Sequence, residues 1–238
     1  MKKLINKGIV AIMLLAVVFS MTFCDSKEYL IDGGKANPYY EGTVMEYLES
    51  RPDLFTKLVQ VIKIAGMEEI FHSDEITFFA PTDFSIDGSI RDLNRIWHDS
   101  YGHDEVTEVS QISADTWKEY LSMYIVKGRY RLKDVAQVDT TKLDAYPGQA
   151  FIAYNGKSMN MGVVYGDAGG VKYAGYRQLL YSLIYDVQTM DMQNAYIATS
   201  DIQPTNGVVH VIRFLEHCFG FEKYAFGRRA IENGISDN

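Results

Sequence analysis

Apolar and polar residues change their spacing several times along the chain, and each change predicts a different kind of element. Met1 to Phe23 opens with Lys2, Lys3 and Lys7, runs apolar from Ile9 to Phe19 and ends on small or polar residues at Ser20 and Thr22. That is the three-part pattern of a secretory signal, and the run is well short of the ~20 apolar residues a bilayer span needs. From Thr43 onward apolar residues recur every three or four positions. Thr43 can cap a short helix carrying Val44, Tyr47 and Leu48, and Arg51-Pro52-Asp53 restarts the chain into a second helix with Leu54, Leu58, Ile62 and Ala65, stopped at Gly66. The β-branched and aromatic run Ile76-Thr77-Phe78-Phe79-Ala80, halted by Pro81, then reads as a buried strand after two helices.

Between Ser85 and Ser110 the chain turns polar, which predicts an exposed insertion around Trp97. A helix follows, capped by Ser113 or Asp115, with Trp117, Tyr120, Leu121 and Tyr124 as its apolar stripe as far as Gly128. After Thr141 the period shortens. Phe151 to Tyr154, Met159 to Val164, Leu179 to Val187, Tyr196 to Asp201 and Val208 to Phe214 are β-prone segments separated by Pro147-Gly148, Asn155-Gly156, Gly169-Gly170 and Asn206-Gly207. Helices first and strands afterwards, without regular alternation, is the α+β pattern.

Composition narrows the class. The chain has 238 residues, 47% of them hydrophobic, and 17 Tyr, enough for a sizeable core in one domain. Its formal charge is -8, and loss of the three leader lysines would leave the rest still more acidic, so a nucleic-acid backbone would be repelled. The 2 Cys cannot staple a disulfide-rich scaffold or form a paired metal motif. Cys24 closes the leader and is followed by Asp25, Ser26, Lys27 and Glu28, which resembles a bacterial lipoprotein whose cysteine becomes the lipidated first residue. Phe23 departs from that pattern, where a small residue is usual, and an ordinary cleaved signal is the alternative. The resemblance implies export to the cell envelope, anchored in the outer membrane of a Gram-negative bacterium. Residues 24–38, with Gly33, Gly34 and Pro38, read as a flexible tether.

Phe78-Phe79-Ala80-Pro81-Thr82-Asp83 resembles the first conserved block of fasciclin domains. Ile202-Gln203-Pro204-Thr205-Asn206-Gly207-Val208-Val209-His210-Val211-Ile212 resembles the second. Between them, Tyr120 to Gly128 takes the place of the family's helix with a Tyr-His pair, but holds no His; Tyr124 or Met123 fills that position, and no function attached to the pair transfers. The resemblance implies N-terminal helices packed on a mostly antiparallel β-sandwich or wedge. It also implies a non-catalytic adhesion or extracellular protein-binding role, with a glycan-binding lipoprotein of a polysaccharide-uptake system as the alternative. The expected layout is a signal peptide over 1–23, a lipid-anchored tether over 24–38, one domain with insertions over 39–220 and a C-terminal tail over 221–238.

Physically, Pro81 ends a strand, Thr82 or Asp83 can cap the next turn, and Asn206-Gly207 is expected to supply positive φ angles to a tight connection. His210, between valines, reads as a satisfied core histidine. His98 to Glu105 concentrates imidazoles and carboxylates without metal-ligand spacing and reads as a solvated loop. Asn155-Gly156-Lys157-Ser158 lacks the glycine of a phosphate loop and reads as a hairpin. An enzyme would need convergence such as His98 or His103 meeting Asp83; no catalytic group, cofactor or metal is assigned. Cys218, beside His217, reads as packing rather than as a nucleophile. The tyrosines of the second half suit recognition, and the loop Gly166 to Arg177, with Tyr165, Tyr173, Tyr176 and Arg177, is the expected docking edge.

Overall fold

A computed structural model describes residues 37–236, so the leader, Cys24 and nearly all of the tether lie outside the described residues. Near the start of the described residues, the Pro38 carbonyl accepts from the Gln203 N–H at 2.7 Å. Helix α1 (Val44–Glu49) starts in a full capping box: Thr43 Oγ1 takes the Glu46 N–H and Glu46 returns a carboxylate oxygen to the Thr43 N–H. Helix α2 (Pro52–Ile64) has Pro52 in its first turn and buries Phe55, Leu58, Val61 and Ile62. Gly66, at φ +63°, ends it. A third helix, α3 (Glu68–Ser73), precedes the first strand where two were expected; it is a single short turn-and-a-half buried through Phe71, too brief to show a period.

Strand β1 (Ile76–Ala80) is fully buried. Beyond it the expected exposed insertion is instead helix α4 (Asp83–Trp97), which buries Ser85, Ile86, Ser89, Ile90 and Leu93. Two serines on the inner face diluted the apolar signal, yet their spacing is that of one helical stripe. Helix α5 (Ala114–Leu121) is capped by Ser113 and ends earlier than the stripe suggested, at Leu121. The chain then tightens through a 3₁₀ turn (Ser122–Tyr124) into strand β2 (Ile125–Lys127), because β-branched Ile125 and Val126 pair with β1.

The remaining strands are β3 (Gln149–Ile152), β4 (Ser158–Tyr165), β5 (Arg177–Asp186), β6 (Asp191–Ile202) and β7 (Gly207–Ile212). They form one mixed seven-stranded sheet in the order β2-β1-β7-β6-β5-β4-β3, antiparallel except for the parallel β1–β7 pair. Irregular register in β6 between Ile197 and Ile202 bends the sheet so far that its two outer strands touch: Val126 bridges Ala153, and the Tyr154 N–H donates to Ile125 O at 3.0 Å. The result is a curled sheet, with α1 packed against β7. Residues 221–238, expected as a tail, carry helix α6 (Ala225–Asn233), whose Phe226 and Ala230 are buried. Its Gly227 lies so close to α4 that an added Cβ would sit 3.0 Å from Leu93 Cα. Phe226 also packs against Trp117 at 4.9 Å.

Candidate functional site

The two blocks meet as the adjacent strands β1 and β7, and Asp83, Asn206 and His210 each have a structural occupation. Thr82 is the N-cap of α4 but makes no side-chain capping bond. Asp83 reaches across instead. Its Oδ1 accepts the N–H groups of Lys57 and Leu58 at 2.9 and 3.0 Å, just past the point where non-helical Phe55 (φ −133°) interrupts α2. Asp83 thus caps the second half of another helix.

Asn206 and Gly207 do not take positive φ, contrary to expectation. Asn206 Oδ1 accepts the Val44 N–H at 2.8 Å, while its Nδ2 donates to the carbonyls of Phe71 and Asp74, both at 3.1 Å. One amide therefore ties α1, α3 and the start of β7 together. Gly207 is required by proximity: a Cβ there would lie 2.4 Å from Ile76 O. His210 is fully buried and stacks on Phe79 at 5.2 Å, with Tyr181 at 3.7 Å on that ring. Its Nε2 meets Tyr130 O at 2.9 Å and its Nδ1 takes the Asp201 N–H at 3.2 Å. These partners demand the neutral tautomer with the proton on Nε2, and burial pushes the imidazole down to about 4.

A second buried histidine was not anticipated. His217 lies beyond β7, 93 residues from Tyr124, and its Nε2 is 2.8 Å from the Tyr124 hydroxyl. That hydroxyl also accepts the Gly220 N–H at 2.7 Å, which leaves its proton for His217. Burial alone pushes His217 down to about 3. Phe219 and Phe221 stack on Tyr124 at 5.3 and 5.4 Å. Neighbouring Cys218 is half-buried with its thiol raised by burial.

Asp83 lies far from His98 and His103. Asp83 begins α4 and His98 follows its last residue, about 22 Å away along a 15-residue helix. His103 stacks on Trp97 at 3.7 Å and its carbonyl holds His98 Nδ1 at 2.5 Å, so the polar stretch 98–105 folds on itself. Among the described residues no group of three His, Cys, Asp or Glu converges to hold a metal ion, and no helix is long and apolar enough to cross a membrane.

Tyr165, Tyr173, Tyr176 and Arg177, in contrast, come together. Tyr165 ends β4, Arg177 starts β5, and the loop between them bounds a groove of about 360 Å³ that Asp139, Thr140, Thr141, Lys172 and Tyr196 also line. Arg177 lies 3.6 Å over the Tyr165 ring and donates to Gly175 O at 2.7 Å, bracing the loop. Tyr176 is 65% exposed, and its ring lies so near Gly166 that a Cβ there would come within 2.5 Å. Tyr173 holds φ +61°, a left-handed conformation that is strained for a bulky residue. Asp167 Oδ1 accepts its N–H and Asp139 Oδ2 its hydroxyl, both at 2.9 Å, and Tyr146 packs edge-on at 5.3 Å. Asp139 was invisible in the sequence, because it lies in an aperiodic stretch and reaches the loop only through the sheet register.

A family model described as the fasciclin domain matches residues 53–214. The chain belongs to the fasciclin domain family. Among solved structures it is similar to a FAS1 domain pair from the insect cell adhesion molecule fasciclin I, with 17% identity and a TM-score of 0.46. That match covers 72% of this chain and 49% of the insect chain, so this chain spans about half the length of that relative. No curated protein matches it.

Proposed function

We propose that this chain is an exported, lipid-anchored and non-catalytic adhesion domain of the cell envelope that binds an extracellular or envelope protein. The face it uses is the loop Gly166 to Arg177 with its groove. Family membership supports the adhesion role, since the insect relative is described as a cell adhesion molecule. The leader and Cys24 support export and anchoring. The observation that carries the choice of face is the convergence of Tyr165, Tyr173 and Tyr176 on one partly exposed groove, with Arg177 braced over Tyr165 beside it, since rigid aromatic area with hydroxyls is what recognition surfaces use. A second reading, an accessory glycan-binding lipoprotein of a polysaccharide-uptake system, is favoured by the same groove's mixture of tyrosines and carboxylates.

The test is a pull-down of envelope and extracellular proteins with the full chain, beside Tyr176→Ala and Arg177→Ala variants. Capture by the wild type and loss in the variants is the expected result; equal capture by all three would move the contact face elsewhere. Mass spectrometry of the mature amino terminus checks the anchor, and an unmodified Cys24 would contradict it.

A further inference from the structure

The groove behind Tyr176 has a chemistry narrower than that of a general contact face. Its volume, about 360 Å³, falls in the range of roughly 300–1,000 Å³ typical of small-ligand sites. Tyr165, Tyr173, Tyr176 and Tyr196 line it, and Tyr176, 65% exposed, offers a flat apolar face with a hydroxyl at its edge. Asp139 and Asp167 add acceptors. Asp139 already takes the Thr141 N–H and hydroxyl on Oδ1 and the Tyr173 hydroxyl on Oδ2, and Asp167 takes the Tyr173 N–H. An ionised carboxylate has about four lone-pair positions, so both keep capacity for further O–H donors. Hydrogen bonds from Thr141 and Tyr173 hold the Asp139 carboxyl below the usual range, which keeps it an acceptor at neutral pH.

A ligand that suits these walls has apolar C–H faces for the tyrosines, many hydroxyl donors for the carboxylates and no negative charge of its own. The lining carries two carboxylates, Asp139 and Asp167, against one lysine, Lys172, so it stays net acidic, while Arg177 lies outside the lining with its guanidinium over Tyr165 and donating to Gly175 O. Tyr173 is tied at its N–H and its hydroxyl, so its left-handed backbone is already fixed before a ligand arrives, which lowers the ordering cost of binding. We propose that this groove is a carbohydrate site for an uncharged oligosaccharide, stacked on Tyr176 and hydrogen-bonded through its hydroxyls to Asp139 and Asp167. This rests on the second reading above.

The experiment is an array of neutral hexose oligosaccharides alongside oligogalacturonate and sulfated chains, probed with the full chain, followed by calorimetric titration of the best binder. Tyr176→Ala is expected to weaken binding about ten-fold, near 1.4 kcal/mol, while Tyr176→Phe keeps the stacked ring and retains it. An unchanged melting temperature shows that both variants fold. Retention of no neutral saccharide, preference for the anionic series, or unchanged affinity in Tyr176→Ala would overturn the assignment. The pull-down separates the two levels: a protein captured by the wild type but lost in Tyr176→Ala, without sugar binding, removes the carbohydrate site and leaves the adhesion reading intact. Blanks in both assays remove both.

Discussion

Lowering the pH from 7 to 5 should cost this domain a large part of its stability, because two neutral histidines are sealed in its core. In an unfolded chain His210 and His217 titrate near 6.5. In the folded one, burial holds them down to about 4 and about 3. The folded chain therefore binds fewer protons than the unfolded one below pH 6.5; stability is whole above that value and falls as the pH drops, until the folded values are reached. Each histidine contributes about 1.4 kcal/mol per pH unit, so His217 alone costs about 2 kcal/mol by pH 5 and His210 a similar amount. A loss of about 4 kcal/mol is serious against the 5–15 kcal/mol typical of a domain.

Carboxylates held low by hydrogen bonds, such as Glu46, Asp134 and Asp139, withdraw their contribution only below about pH 4, so the window from 6.5 to 5 belongs to the imidazoles. Asp83, raised by burial, acts in the opposite sense as the pH falls. The assay is urea unfolding followed by tryptophan fluorescence at pH 7, 6 and 5, for the wild type and for His217→Gln, whose amide can still meet the Tyr124 hydroxyl. The wild type is expected to lose about 4 kcal/mol and the variant about half as much. Stability that stays flat from pH 7 to 5, or an identical slope in the variant, would refute the reasoning.

Other substitutions probe the junctions of the two family blocks. Asn206→Ala strips one acceptor and two donor contacts from α1 and α3 and should cost about 2–4 kcal/mol, read as a drop in melting temperature. Gly207→Ala places a methyl 2.4 Å from Ile76 O and should abolish soluble expression, whereas Gly66→Ala, strained in φ but facing open space, should cost only about 1 kcal/mol in thermal melts. Asp83→Ala should cost about 1–2 kcal/mol and speed amide hydrogen exchange at Lys57 and Leu58 in particular.

Elements whose signal was local could be read from the residues alone. The Thr43 box, Pro52, Gly66 and the run Ile76 to Ala80 each carry their own start or stop chemistry within a few positions. Helix α4 escaped because its inner face uses Ser85 and Ser89 among Ile86, Ile90 and Leu93, and α6 because nine residues with Gly227 and two arginines look like a polar end until they meet Trp117 and Leu93. The positive-φ reading of Asn206-Gly207 failed for a different reason. Both residues serve distant partners, the amide three carbonyl and amide groups, the glycine a neighbouring strand. The groove's aromatic rim sits on one hairpin and was legible, while Asp139 and the Tyr124–His217 pair join segments many residues apart through the sheet and core packing.

The parallel pairing of β1 with β7 also orders events in time. More than a hundred residues separate Ala80 from Gly207, and closing so long a loop carries a large entropic toll before any contact repays it. A ribosome delivers the amino end first, so the wholly buried first strand must wait, unpaired on one edge, until nearly the entire polypeptide has emerged. Truncations ending short of Ile212 should therefore yield sticky, protease-sensitive material rather than a smaller version of the same body.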